Sequence, residues 1–122
     1  MTIEAALDSF YNSFGLPAYP SVAVPKEKKY PYITYEYVSG LWLDKQFPTL
    51  NIWQKGMDIS TLNRKVRAIG SEIHDGGKTI ECDGGMLWIT PGTPFSYITN
   101  DPEDDNVLRA VININIEFLA NN

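Results

Sequence analysis

The chain has 122 residues, of which 43% are hydrophobic and 20% are charged, and its formal net charge is −5. These values are typical of one soluble globular domain. The acidic balance argues against a general nucleic-acid binder, because such a protein needs a cationic surface to displace counterions from phosphate. No apolar run approaches the roughly 20 residues that span a bilayer, and the acidic first turn is not typical of a signal peptide.

The N-terminal segment, residues 2–13, predicts an amphipathic helix, because its apolar residues recur at steps of three and four. Thr2 is a candidate N-cap, and Gly15 with Pro17 ends the helix. The loop that follows runs to Pro31 and is rich in proline. A loop of this length and composition is typical of segments that contact other chains or carry function.

A second amphipathic helix is predicted after Gly56. Asp58 or Ser60 can cap it, and Gly76–Gly77 ends it. Gly70 falls at the edge of the apolar stripe, where a missing side chain lets the helix approach a sheet closely. The stripe itself consists of Ile59, Leu62, Val66, Ile69 and Ile73.

The middle of the chain predicts an antiparallel hairpin of two strands, Tyr32–Val38 and Thr49–Gln54, with its tip at residues 41–46. In the second strand, Ile52 lies on one face and Trp53 on the other, because successive side chains of a strand alternate between faces.

Two further strands are predicted at Lys78–Cys82 and Met86–Thr90. The glycine pair between them, Gly84–Gly85, indicates either a β-bulge or a hairpin turn. Pro91–Pro94 is expected to end the second of these strands, and Phe95–Thr99 is expected to form a short extended piece.

The longest predicted strand runs from Val107 to Phe118, with apolar residues at every even position. Its polar residues, all at odd positions, are Arg109, Asn113, Asn115 and Glu117. We expect this strand near the middle of the sheet. The order of elements predicts a single α+β domain over residues 1–122, with a mainly antiparallel sheet of four or more strands and two helices packed on one face.

Residues that carry chemistry in enzymes are sparse here. His74 is the only histidine, and Cys82, the only cysteine, lies eight residues further on, so a Cys/His pair is conceivable. No spacing typical of zinc ligands or of a calcium loop occurs, and neither glycine pair sits in a strand-to-helix turn, where a helix dipole would hold an anion. We therefore expect no enzyme activity, no cofactor and no metal site. A single cysteine also excludes an intrachain disulfide, which suits a reducing cytoplasm.

Aromatic residues and segregated charges are the features that indicate protein interfaces. The tyrosines that cluster in and before the first strand are either half-buried sheet residues or interface residues. The basic cluster near the front and the acidic cluster near the back are either solvated loops or, in a ring of identical subunits, complementary contacts. The candidate interface residues are Tyr19, Lys26, Lys28, Lys29, Trp42, Asp101, Glu103, Asp104 and Asp105.

Several segments, taken in order, carry a resemblance to a known family. They are the acidic-amphipathic opening Met1–Asp8, the Pro-Tyr-Ile-Thr-Tyr strand of residues 31–35, Asn51–Lys55, the helix Leu62–Ile73, and the Ile-Asn-Ile-Asn-Ile strand of residues 112–116. In this order the chain resembles the small tail-terminator and tail-completion proteins, which join head and tail in long-tailed bacteriophages and prophages.

The resemblance implies a structural α+β protein of the virion, assembled in the cytoplasm of the host bacterium. Such proteins form a hexameric ring that caps the tail tube and docks the head connector. The implied partners are copies of the chain, the tail tube protein and the head–tail connector proteins, with no membrane and no specific nucleic acid. The family offers no catalytic residue to carry over. Ring and tube contacts are expected in Pro17–Pro31, Ser39–Phe47 and Pro91–Asn106.

Two rival functions stay open. One is another neck or minor capsid protein, which is distinguished by whether it binds the tube or a portal-side protein. The other is a small ligand-binding domain or enzyme that uses His74 and Cys82, which predicts that these two side chains meet in a cleft.

Overall fold

The computed structural model describes residues 1–40, 42 and 44–121. Six strands form one sheet in the order β1-β2-β3-β6-β5-β4. β1 pairs with β2 in parallel, and the other four pairings are antiparallel, which confirms the predicted α+β class and mainly antiparallel sheet. The elements are α1 (Ile3–Asn12), β1 (Ala18–Pro20), β2 (Tyr32–Tyr35), β3 (Thr49–Lys55), α2 (Ile59–Ile73), β4 (Lys78–Cys82), β5 (Gly85–Asp101) and β6 (Asp104–Ala120).

The cap of α1 is the one predicted. The Thr2 hydroxyl accepts a hydrogen bond from the Ala5 N–H at 3.1 Å. At the other end, Asn12 holds β1 in place, since its side chain accepts from the Ala18 N–H at 3.0 Å and donates to the Ala18 carbonyl at 3.3 Å. The sequence predicted only a loop here. A strand of three residues is too short to show a periodic pattern. β1 instead depends on tertiary contacts such as those that Asn12 makes with it.

Of the two predicted caps of helix α2, the structure has Asp58. Its carboxylate accepts hydrogen bonds from the Thr61 N–H at 3.1 Å and from the Thr61 hydroxyl at 2.6 Å. The prediction that Ile59 belongs to the buried stripe is wrong, because this side chain is 57% exposed. At 100° per residue, Ile59 lies about 50° from the mean direction of the buried stripe, at its edge. The buried residues of α2 are Leu62, Val66, Ile69 and Ile73.

Strand β6 lies between β3 and β5, which confirms its predicted place inside the sheet. We call the side of the sheet that its buried even positions occupy the core face, and these positions are Leu108, Ala110, Ile112, Ile114 and Ile116. The core-face residues form one buried cluster with residues of both helices, among them Leu7, Phe10 and Tyr11 of α1 and the four buried residues of α2.

The expected end of β5 at Pro91–Pro94 is wrong, because the strand continues to Asp101. β5 instead shifts its register against β6 between Pro91 and Ser96. In that interval the side-chain amide of Asn113 donates to the Pro94 carbonyl at 2.9 Å, and the next residue on the same side of β6, Asn115, donates to the Pro91 carbonyl at 3.2 Å. These side chains pair with proline carbonyls where the ladder is interrupted, so a β-bulge forms where the sequence indicated a break.

The glycine pair after β4 is a hairpin turn, since Cys82 pairs with Gly85. β5 and β6 are joined by an equally tight turn, in which Asp101 pairs with Asp104. The predicted β2–β3 hairpin is present, although β2 ends at Tyr35. Its expected tip at residues 41–46 lies partly outside the described residues.

Helix α1 contacts both β1 and β4, the two edge strands of the sheet. A flat sheet of six strands is about 24 Å across, whereas a helix of ten residues is about 15 Å long. The sheet therefore curls around α1.

Candidate functional site

We call the side of the sheet opposite the core face the second face. Cross-strand register fixes its membership, because residues opposite each other in a ladder point to the same side. On β2, β3, β6 and the last part of β5 it comprises Tyr32, Thr34, Asn51, Trp53, Tyr97, Thr99, Arg109 and Val111.

A row of stacked side chains crosses this face. The rings of Tyr32 and Trp53 stack with their centroids 6.4 Å apart and their planes 19° apart. The Trp53 indole N–H donates to the Thr34 hydroxyl at 2.9 Å, and the Arg109 guanidinium lies 5.4 Å from the Trp53 ring centroid. A cation–π contact of this kind contributes about 0.5–1 kcal/mol at a partly exposed site. The row is therefore held in one arrangement before any partner binds.

Two polar atoms on the second face are buried without a hydrogen-bond partner in the described part of the chain, Arg109 Nε and Asn51 Oδ1. Asn51 is paired with Val111, two residues along β6 from Arg109, so the two side chains are diagonal neighbours. An unpaired buried donor or acceptor costs about 1–3 kcal/mol. A peptide group supplies one C=O and one N–H, which is the pair of functions that these two atoms lack.

Tyr97, which is also paired with Val111, completes this part of the second face and is 51% exposed. The sequence alone did not single out Asn51 or Tyr97. Alternation placed Arg109 on a polar side of its strand, but the neighbours of that side chain depend on the register between distant strands. Tyrosine and arginine side chains of this kind are enriched at protein interfaces.

A groove of about 540 Å³ opens beside the stacked row and brings together parts of the two predicted charge clusters. Lys28 lies on one side of it and the acidic turn between β5 and β6 on the other. Burial, reinforced by Tyr30 and the Asp101 carboxylate, raises the pKa of Tyr32 to about 12. The residues that line the groove are Lys28, Tyr30, Tyr32, Trp53, Asp101, Pro102, Glu103 and Asp104.

The remaining interface candidates are spread over the surface. Tyr19 is half-buried, with its ring centroid 6.3 Å from that of Tyr32. Lys26, Lys29 and Asp105 are exposed. Trp42 is half-buried against the core cluster and lines a small groove with Asp44, Lys45, Glu117 and Phe118. Their role in an interface stays a prediction.

His74 and Cys82 lie in different surroundings. His74 caps the end of α2, and its Nδ1 atom is 3.1 Å from the Asp75 carboxylate. Cys82 packs against the core cluster, where burial and the Asp83 carboxylate raise the pKa of its thiol. A thiol that stays protonated is a poor nucleophile. The groove that His74 lines, beside α2, does not include Cys82.

The described part of the chain gives little support to a phosphate-binding loop or a metal site. Gly77-Lys78-Thr79 matches the end of a phosphate-binding loop, but it follows a helix and leads into a strand, which reverses the order such a loop requires. Within residues 1–40, 42 and 44–121, no group of three or more His, Cys, Asp or Glu residues could hold a metal ion. No helix of this part is long and apolar enough to cross a membrane.

No protein-family model, curated protein or solved structure that we compared with this chain matches it.

Proposed function

We propose that this chain is a bacteriophage structural protein of the head–tail joint, acting as the tail terminator. In this proposal six copies form a ring in the virion, which caps the tail tube and docks the head connector. The resemblance of the sequence to tail-terminator and tail-completion proteins supports this function. The observation that carries it is the second face, where Arg109 Nε and Asn51 Oδ1 are buried with no partner among the described residues, beside the exposed ring of Tyr97.

Part of the proposal is that both helices cover the core face, which leaves the second face free for a partner. Its support is the single buried cluster that unites Leu7 and Phe10 of α1, Val66 and Ile69 of α2, and the even positions of β6. The helices then supply the stability of the domain, and the second face with its adjoining loops supplies the contacts.

The mechanism is assembly. The second face binds the tail tube protein by burying the exposed Tyr97 ring, and the side chains of Arg109 and Asn51 turn outward in the contact so that their buried atoms meet amide groups of the tube protein. A ring of identical subunits is closed by head-to-tail contacts between two different surfaces of each copy. Once closed, the ring offers one side to the tube and the other to the connector proteins.

The test is capture of purified tail tubes by the wild-type protein and by two matched variants. Tyr97 and Tyr37 are both 51% exposed, but only Tyr97 lies on the second face. Tyr97→Asp is expected to reduce tube capture at least tenfold, because it puts a desolvated charge into the contact, and Tyr37→Asp is expected to leave capture unchanged. Negative-stain images are expected to show wild-type protein at tube ends.

Binding to portal-side proteins with no binding to tubes would instead assign the chain to another neck or minor capsid role. Binding to neither class of partner would contradict a place in the head–tail joint. Equal loss in both tyrosine variants would contradict the role of the second face.

A further inference from the structure

The later part of β5 has a neighbouring strand on one side only. β4 pairs with β5 from Gly85 to Ile89, and within the described residues no other strand lies beside β5 on that side. Beyond Ile89, β5 is therefore the edge of the sheet. Unpaired N–H and C=O groups on such an edge are a template for a further strand.

The register between β3 and β6 shows which way the backbone of β6 points. Gln46 and Ile116 exchange two backbone hydrogen bonds, both at 2.8 Å. The same register continues along β3, so the even residues of β6 direct their N–H and C=O groups at β3. The odd residues of β6, such as Arg109, therefore direct theirs at β5.

The backbone groups of β5 that face away from β6 follow from this direction. Tyr97 and Thr99 are paired with odd residues of β6, so their N–H and C=O groups are bonded to that strand. Backbone groups alternate in direction along a strand, so those of the residues between and beside this pair point outward. None of these outward groups makes a hydrogen bond to a described residue. We call them the open edge, and they belong to Ser96, Ile98 and Asn100.

The other two edge segments of the sheet are protected. On β1, the side chain of Asn12 bonds both the N–H and the C=O of Ala18. β4 contacts α1 and carries the charged side chains of Lys78 and Glu81, which disfavour pairing with a further strand. The open edge has no such protection, because residues 95–100 read Phe-Ser-Tyr-Ile-Thr-Asn, without charge and rich in residues that favour strands.

An apolar groove of about 600 Å³ adjoins the open edge, between α2 and β5. Val66 and Phe95 contribute to its apolar lining, and Ser96 both lines the groove and belongs to the open edge. Successive side chains of an added strand alternate between the two faces of a sheet. Side chains on the core face would enter this groove, and those on the second face would lie beside the exposed ring of Tyr97.

The geometry disfavours another copy of the chain as the source of the added strand. A head-to-tail copy would need an open strand on the opposite edge of the sheet, which is β1, and Asn12 covers it. A two-fold copy, paired through the same edge, would give an assembly with two identical sides. The proposed ring instead has one side for the tube and one for the connector. The tube protein is the partner whose proposed contact, at Tyr97, is continuous with the open edge.

We propose that the tail tube protein docks by adding an extended strand to β5 at the open edge. The inference rests on the proposed function and specifies how the tube protein binds. The added strand exchanges backbone hydrogen bonds with Ser96, Ile98 and Asn100, places an apolar side chain in the groove and packs another against Tyr97. Backbone hydrogen bonds then supply affinity, and the groove selects the side chain.

Paired proline and alanine variants of the full chain test this docking. Ser96→Pro with Asn100→Pro removes two outward N–H groups that the fold does not use, and proline is tolerated at such edge positions. Ser96→Ala with Asn100→Ala removes the same side chains and keeps both N–H groups. The proline variant is expected to capture roughly tenfold fewer purified tail tubes than the alanine variant. Circular dichroism shows whether both are folded.

Hydrogen–deuterium exchange of the wild type, resolved by residue, is a second measurement that needs no variant. In the free protein, the amides of Tyr97 and Thr99 are expected to be protected by β6, while the amides of the open edge exchange fast. On binding to tail tubes, the amides of the open edge are expected to become protected as well. If the proline variant is unfolded, this exchange decides alone.

The outcomes separate this docking from the proposed function. Equal tube capture by the two variants, with fast exchange at the open edge of the bound wild type, overturns strand addition and leaves the place in the head–tail joint standing. Wild-type dimers in light scattering that are lost in the proline variant would assign the open edge to a second copy and overturn the tube protein as its partner. No capture of tubes by the wild type overturns the function and the docking together.

Discussion

At the scale of single residues, the contacts of a side chain on the second face depend on residues that are far away in sequence. Trp53 is an ordinary strand residue by composition, and alternation places it opposite Ile52. Its stacking on Tyr32, its hydrogen bond to Thr34 and its cation–π contact with Arg109 come from cross-strand register. Periodicity gives the side of a strand that a residue occupies, whereas its partner is decided by pairing between distant segments.

The Tyr35 hydroxyl provides a first test at this scale. It donates to the Asp8 carboxylate at 2.6 Å and so connects β2 to α1, while the ring centroid lies 4.5 Å from that of Tyr11 with the two planes tilted by 43°. Tyr35→Phe keeps the ring and removes the hydrogen bond, so the free energy of unfolding in urea is expected to fall by about 1 kcal/mol. Tyr37→Phe, at an exposed position, is the control and is expected to cause no change. Equal stability of the two variants would contradict a stabilising hydrogen bond between Tyr35 and Asp8.

Buried phenols make the protein sensitive to alkali. Burial raises the pKa of Tyr11 and Tyr35, and it raises that of Tyr32 to about 12. In the unfolded chain these phenols titrate near pH 10, so the folded state holds their protons more tightly. The stability that this contributes is complete below pH 10 and is lost as the pH rises from 10 through about 12.

An alkaline titration followed by tyrosinate absorbance and circular dichroism checks this. Three of the seven tyrosines are expected to ionise only as the fold is lost. Reversible ionisation of all seven near pH 10, with the dichroism unchanged, would be incompatible with three buried phenols.

At the scale of elements, both helices and the central strand follow from the sequence, because their signals are local. Steps of three and four residues, a capping side chain and a terminal glycine are all visible along the chain. The sequence does not decide between Asp58 and Ser60 as the cap of α2, since both residue types cap helices well. The bulge at Pro91–Ser96 was also hidden, because the side chains that compensate for it, Asn113 and Asn115, belong to another strand.

The cap of α2 gives the test at this scale. Asp58→Ala removes the acceptor for the Thr61 N–H and hydroxyl, so the thermal unfolding midpoint is expected to fall. Ser60→Ala, two residues further on, is expected to leave it unchanged or to raise it slightly, because alanine favours the helix.

Acid adds a further check on this cap. The hydrogen bonds from Thr61 hold the pKa of Asp58 below its usual value, so the stabilisation by the cap is present above that usual value and is lost as the pH falls through the lowered one. A larger loss of stability in Ser60→Ala than in Asp58→Ala would contradict this assignment.

At the scale of the whole molecule, the strand order β1-β2-β3-β6-β5-β4 was beyond the sequence, as was the curl of the sheet around α1. Both depend on pairing between segments that are far apart in the chain. The order places β6 at the centre and leaves the second face to the tail tube in the proposed assembly. The interface candidates Lys28, Asp101, Glu103 and Asp104 line one groove within a single chain, and the sequence did not predict that they would meet there.

We propose that this chain works by fitting against copies of itself and against neighbouring proteins of the virion. Its most direct test is the mass of the assembled protein, measured by size-exclusion chromatography with light scattering over rising concentration, alone and with purified tail tubes. We predict a closed assembly of six chains that associates with the tubes. A mass of one chain under every condition, with no protein bound to the tubes, would contradict the claim.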